Sequence, residues 1–442
     1  MKSLSMYIGG NTAFSSWLYG LLVGSLGFGT VAVGQVGGAN IRMWEVLLVA
    51  FAASIFMKAC LRGALIIPNT TAIVLVLPLV LSVLLSGLNA NRLDLWFKQT
   101  LLLIAMITLS ALVAQRWSRA QIVQTLRWVT YPGILIAAWG IVELFFFPEN
   151  LQVYWITSTE QGLPRVRSFF AEANEFSQFL CLPFGFLLAA LLFQKSLPGW
   201  ERWAYRGGLL VVLVAQALTF SRGGILGFAA GLFAMAALAV AHRIDEIRAL
   251  LPQARRALAL AAAVLAVLFW NAVAVAEILT ALLGRLLSLL AGGDATANLR
   301  LEAMTAAVSA ASSSLPTFIA GIGLGNIPHI FGEDSATTGN VLADIFAELG
   351  MLGMLSYLLA VLAALVLPLR SLAMLQRDRD GGMLAMFVGA YCAMTAILIG
   401  GLTYASHMLT FFWFAYGILL AFHRHGVALK KHVRRGIVHD HN

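Results

Sequence analysis

The chain is poor in charge. Only 11% of its 442 residues are Asp, Glu, Lys or Arg, against roughly 25% in a soluble domain. A water-facing surface cannot be built from so little, so most of this surface must face something other than water. Cysteine is also scarce, at three residues. Cys60, Cys181 and Cys392 lie in or beside apolar runs and form no C-x-x-C pair, which argues for small packing residues rather than a disulfide framework or a thiolate metal site. Alternating ten-residue segments, the mark of a membrane barrel, are absent. The short, Gly-rich N-terminus lacks a compact apolar region followed by a small-residue cleavage site, and is expected to be retained. The formal net charge of +9 does not imply nucleic acid as a partner, because the charges sit in the loops between apolar runs.

What is abundant is hydrophobic sequence: 60% of residues, with a mean hydropathy of +0.86. Apolar runs of about twenty residues recur, the length of a helical membrane span, so the fold class is an all-α integral membrane protein. Twelve spans are drawn: Phe14–Gly34, Trp44–Cys60, Ala64–Ser86, Phe97–Gln115, Trp128–Phe147, Phe169–Phe193, Leu209–Phe220, Gly224–Ala241, Ala257–Val275, Val341–Leu367, Leu384–Gly400 and Leu402–Phe422. Pro68-Asn69 predicts a broken first turn in the third, and the shortness of the seventh predicts a start nearer Tyr205.

Positive loops stay on the cytoplasmic side. With both termini inside, the outer side receives only Arg42, Arg92, Lys98, Arg165, Arg167, Arg222, Arg285 and Arg300 of the 29 Lys and Arg. The organisation read from this is nine spans in residues 1–275, a large external loop region with short helices in 276–340, three spans in 341–422 and a basic cytoplasmic tail in 423–442. Within the loop, Ile278–Leu290 is amphipathic and suited to a membrane surface, Gly292–Ala297 is a polar turn, and Asn298–Ala311 is a helix. No internal repeat is evident, which weighs against a secondary transporter.

The informative residues are the cations on the outer side. All but one are arginine, whose planar fork suits phosphate oxygens. Each can instead snorkel or pair with a nearby acid, and that plainer reading is the stronger one for Arg165 and Arg285. Arg222 stands out, squeezed into Ser221-Arg-Gly-Gly224 between two spans. Glu172 and Glu175 fall at the start of a span, where they either balance Arg165 and Arg167 or act chemically. Asp344 and Glu348 lie four apart on one helix face, as general bases or as partners of arginine. Gly321-x-Gly-x-Gly325 follows no strand, so it marks a turn rather than a dinucleotide site. His329 and His407 have no metal-ligand spacing, and no metal or cofactor is expected.

Four segments in this order resemble the O-antigen ligase and polymerase superfamily of GT-C class membrane glycosyltransferases. They are Arg167-Ser-Phe-Phe-Ala-Glu-Ala-Asn-Glu-Phe-Ser-Gln-Phe-Leu180, with Ala173 where the family usually has proline; Thr219-Phe-Ser-Arg-Gly-Gly-Ile-Leu-Gly227; Asn298-Leu-Arg300 followed by Gly321-Ile-Gly-Leu-Gly-Asn326; and Gly339-Asn-Val-Leu-Ala-Asp-Ile-Phe-Ala-Glu348-Leu-Gly-Met-Leu-Gly353. The resemblance covers roughly residues 165–355. It implies an undecaprenyl-pyrophosphate-linked oligosaccharide as donor on the periplasmic face of a bacterial inner membrane, without a cofactor. The acceptor is a glycolipid: a second repeat unit in a polymerase, the lipid A–core in a ligase. Arg167, Arg222 and Arg300 are the implied pyrophosphate-binding residues, with Glu348, Asp344 or His329 as the base. Glu172, Asn174, Ser221, Gly223, Asn326 and Asn340 are the implied supporting residues. Family ligases carry a histidine where this chain has Gly339, a departure that favours a polymerase and leaves a ligase as the alternative. A lipid-linked-sugar flippase is the competing class; it predicts charge near mid-membrane rather than at one rim.

Overall fold

The computed structural model describes residues 13–28, 32–36, 39–61, 70–114, 119–147, 149, 151–155, 162–241, 295–331, 338–375, 381–404 and 408–423. The chain is mostly helical. Among the described residues six helices are long and apolar enough to cross a membrane, and three shorter apolar ones accompany them. The helices are α1 (Ala13–Ser25), α2 (Met43–Leu61), α3 (Thr70–Ser86), α4 (Leu93–Val113), α5 (Arg119–Phe146), α6 (Ala173–Phe193), α7 (Gly199–Leu218) and α8 (Arg222–Ala241). There follow α9 (Ala295–Ala311), α10 (Leu315–Ala320), α11 (Ile327–Phe331), α12 (Val341–Val366), α13 (Gly382–Gly401) and α14 (Thr410–His423). The span drawn at Ala257–Val275, the amphipathic stretch Ile278–Leu290 and the break at Pro68-Asn69 lie outside the described residues.

Helix α13 occupies the centre, packed against α6, α8 and α5. Glycines set how closely it is approached. A Cβ at Gly185 of α6 would sit 2.6 Å from the Gly389 carbonyl oxygen, and one at Gly227 of α8 would sit 2.5 Å from that of Ala396. With Gly223 and Gly231, Gly227 forms a small-xxx-small row, the pattern that lets membrane helices approach backbone to backbone. Phe184 and Phe228 stack at 4.2 Å beside this seam. Helix α14 is enclosed on all sides, with Phe411, Phe412, Trp413 and Phe414 fully buried. The rim of the bundle is leucine-rich: Leu355, Leu359 and Leu362 of α12, and Leu77, Leu81 and Leu84 of α3, are exposed. Exposed apolar faces of this extent fit lipid, not water.

Four expectations are corrected. The first span does not run to Gly34: α1 ends at Ser25, turns through Leu26–Phe28, and the chain then enters an antiparallel hairpin, β1 (Ala32–Val36) with β2 (Ala39–Arg42). A second hairpin, β3 (Gln152–Trp155) with β4 (Gly162–Arg165), precedes α6, so the chain is not purely helical. Strands of four or five residues are too short to leave an alternating signature. The last span starts at Thr410 rather than Leu402, because Gly400-Gly401 releases the chain into a polar turn. The tenth is broken: Gly350 has φ 66° and ψ −167°, so Val341–Leu349 and Met351–Val366 are separate helical pieces.

Candidate functional site

The turn after α13 is where distant parts of the chain meet. Backbone N–H groups of Leu402, Thr403 and Tyr404 donate to Ile399, Gly400 and Gly401, and the Thr403 hydroxyl donates to the Gly400 carbonyl at 2.8 Å. This tight winding leaves the carbonyls of Leu402 and Thr403 for other partners. Arg300 of α9 donates through Nη1 to Thr403 O at 2.9 Å. Asn340, ahead of α12, donates through Nδ2 to Leu402 O at 2.9 Å. Gly223, second residue of α8, lies against the Thr403 side chain: a Cβ there would be 3.1 Å from Thr403 Cβ and closer still to its hydroxyl.

Helix starts surround the same turn. Asn340 caps α12, its Oδ1 accepting from the N–H groups of Leu342 at 2.9 Å and Ala343 at 3.1 Å. Ser221 caps α8, its hydroxyl accepting from the Gly224 N–H at 3.3 Å. Arg222 is therefore the first residue of a helix whose positive dipole end adds to its own charge. Helix starts of this kind bind anions through their free N–H groups. Ordinary electrostatics brings in the first motif as well. The Tyr404 phenol is pushed well above its usual range, first by burial and then by the carboxylates of Glu175, Glu172 and Asp344, with Arg300 opposing them.

Arg165 has a different role. Its side chain is buried; Nε donates to Thr219 O at 2.7 Å and Nη2 to Asn174 Oδ1 at 2.7 Å. The Val166 N–H donates to Leu218 O in support. This guanidinium thus pins the end of α7 to the start of α6 and fixes where Ser221-Arg222 emerges. Two non-glycine residues nearby adopt left-handed backbone: Ser168 (φ 51°), beside Arg167, and Phe220 (φ 48°), two before Arg222. Such conformations cost about 1–3 kcal/mol and persist only when their surroundings over-determine them. Ser168 is so determined, its N–H bonded to Glu143 Oε2 at 2.9 Å and its hydroxyl to Ile136 O at 3.0 Å.

The glycine-rich turn is a buttress. Glu348 Oε1 accepts from the Gly325 N–H at 2.9 Å, while the Ile322 and Gly323 N–H groups donate to the Ala347 and Glu348 carbonyls. Gly321, Gly323 and Gly325 all have positive φ, which winds the segment into a tight turn. Asn326 is buried and latches it to the α3–α4 connection, accepting from the Arg92 N–H at 2.8 Å. Asp344 Oδ1 accepts from the Thr338 N–H at 2.8 Å, closing the turn ahead of α12.

Of the residues singled out from sequence, Arg222 (through its neighbour Gly223), Arg300 and Asn340 reach one turn, with Glu172, Glu175 and Asp344 in electrostatic range of its Tyr404. Arg167 follows another course, Nη1 donating to Ala171 O at 3.3 Å. Glu348 and Asn326 serve the glycine turn. His329 stands on α11, but its side chain and all of His407 lie outside the described residues. Thr403 and Tyr404 were missed; polar residues straight after Gly-Gly, inside a run counted as apolar, were the available sign. Also missed were Gln178 and Gln216. Both are buried, and the carboxamide of Gln178 lies against Gly400 while that of Gln216 donates to Ser177 Oγ at 2.7 Å beside Gly224. Among the described residues no group of three or more His, Cys, Asp or Glu is placed to hold a metal ion. The sequence matches no protein-family model and no curated protein.

Proposed function

We propose that the chain is a membrane glycosyltransferase that takes a polyprenyl-pyrophosphate-linked oligosaccharide as donor at the periplasmic face of the inner membrane and extends a second lipid-linked repeat unit, polymerising O-antigen or exopolysaccharide. One observation carries this reading: the Leu402–Tyr404 turn gathers Arg300, Asn340 and the Arg222-Gly223 helix start, segments far apart in sequence, with the Glu172 and Glu175 carboxylates in range. Two guanidinium-bearing elements and two capped helix starts at one place are suited to a diphosphate.

In the reaction, an acceptor hydroxyl oxygen attacks the anomeric carbon, the bond from that carbon to the phosphate oxygen breaks, and the polyprenyl diphosphate leaves with the electron pair. Arg222 and Arg300 meet its developing charge, a preorganised electrostatic effect. The attacking hydroxyl gives its proton to one of the carboxylates about Tyr404. Glu172 and Glu175 are partly exposed whereas Asp344 is buried and bonded to Thr338, so the first two rank ahead of it here. Polymerase is preferred to ligase because Gly339 has φ 74° and a Cβ there would lie 3.2 Å from Arg300 Nε. The position where family ligases place histidine is packed against the arginine.

The test is transfer from a purified lipid-linked donor by wild type, Arg222→Ala and Arg300→Ala. Loss of one preorganised charge contact predicts a rate lower by roughly 10²–10³, with binding of a polyprenyl diphosphate weakened in parallel. In a deletion strain each variant should leave single repeats. Free polymer that never reaches the lipid core means a ligase, and normal surface polymer removes both.

A further inference from the structure

At the opposite end of α7, about 30 Å from Thr219 at 1.5 Å per residue, the helix presents two unlike faces. On the inward face Glu201 is almost fully buried and bound bidentately by Arg127 of α5, Nε to Oε1 at 2.8 Å and Nη2 to Oε2 at 3.1 Å. The phenols of Tyr131 and Tyr205 each donate to Glu201 Oε1 at 3.3 Å. The segment's acid is therefore turned away from the surface and already neutralised. The outward face carries Trp200 (66% exposed), Trp203 (71% exposed) and the exposed Arg206, whose guanidinium lies 5.0 Å over the Trp203 ring. Arg202 stands one turn before Arg206 and donates through Nη2 to Lys195 O at 3.4 Å, bringing the exposed Lys195 alongside.

Exposed indoles at a helix end are at home at the level of lipid headgroups. Basic side chains there attract acidic lipids, by about 1 kcal/mol per Lys or Arg near the surface. We propose that this face of α7, built from Lys195, Trp200, Arg202, Trp203 and Arg206, is a binding site for anionic phospholipid headgroups in the leaflet opposite the Leu402–Tyr404 turn. The indoles seat the glycerol region, and the arginines hold the headgroup phosphate. Burying Glu201 against Arg127 is what makes the site selective, since an exposed carboxylate at that position would repel the same headgroup. The proposal is independent of the glycosyltransferase reading.

The experiment is native mass spectrometry of the full chain released from nanodiscs of equal parts phosphatidylglycerol and phosphatidylcholine. Wild type should retain phosphatidylglycerol in preference. Arg202→Gln/Arg206→Gln, removing two contacts, should lose on the order of thirtyfold in that preference while phosphatidylcholine retention is unchanged. Arg202→Lys/Arg206→Lys, which preserves charge, should keep most of it. The basic tail is common to all three, so the differences report α7. An unchanged preference in the glutamine variant overturns the proposal. Equal loss in the lysine variant overturns it too, by assigning the effect to helix packing.

Discussion

The Arg300 guanidinium donates to the carbonyl of Thr403 at 2.9 Å, and Gly339 lies against its other edge. The arginine is thus held between a turn and a glycine, which fixes its guanidinium in space beside the Leu402–Tyr404 turn.

That packing makes Gly339→His a decisive substitution. The new side chain must adopt left-handed backbone, which costs an L residue about 1–2 kcal/mol, and its Cβ must displace Arg300. The expected result is a lower melting temperature and slower glycan transfer. A variant that transfers polymer to lipid A–core instead would show that the position had been a vacant base site.

Arg165 and Arg222 should separate cleanly. Arg165→Ala leaves the buried Thr219 carbonyl without its donor, at a cost of about 1–3 kcal/mol. Arg165→Lys should not restore stability, since one ammonium cannot span Thr219 and Asn174 as the fork does. Arg222→Ala removes one of the charges proposed to meet the diphosphate and should abolish most transfer. Thermal unfolding in detergent, read beside a transfer assay, checks both.

Gly227→Val tests the seam between α8 and α13. The added carbons meet the Ala396 carbonyl, and overpacking of this kind costs about 1–3 kcal/mol. The melting temperature should fall, and fall further with Gly231→Val added.

The Tyr404 phenol, raised by burial and by the surrounding carboxylates, predicts alkaline sensitivity. The unfolded chain releases this proton near pH ~10, the folded chain only above it. The stability due to the neutral phenol is therefore complete below that pH and is lost as pH rises through the folded value. Tyr404→Phe should flatten the fall in melting temperature above pH ~10. Identical curves for the two proteins would remove the shift.

Hydropathy located α2, α4, α6, α8, α12 and α13 to within a few residues, because lipid exposure demands apolar sequence whatever the packing. It failed where backbone geometry decides. Glycine is frequent inside membrane helices, so the reversal of φ at Gly350 was invisible. Thr403 and Tyr404 were absorbed into a span because the apolar residues of Leu402–Phe422 outweigh its few polar ones in any average. The arginines were legible as a group, since guanidinium on the sparsely charged side is conspicuous. Which one braces α7 against α6 was not, because the Thr219 carbonyl that Arg165 binds is brought from 54 residues away.

The break at Gly350 also acts as a ruler. The stretch from Met351 through Ser371, helix and closing turn together, is about 30 Å long, the thickness of a bilayer's hydrocarbon layer. Had the helix continued unbroken from Val341, it would overshoot by nearly three turns and drive Asp344 and Glu348 towards the acyl chains or tilt steeply to avoid it. A single torsional reversal uncouples the two tasks, so the span can tilt with membrane thickness while the piece bearing the carboxylates keeps its register with the glycine turn.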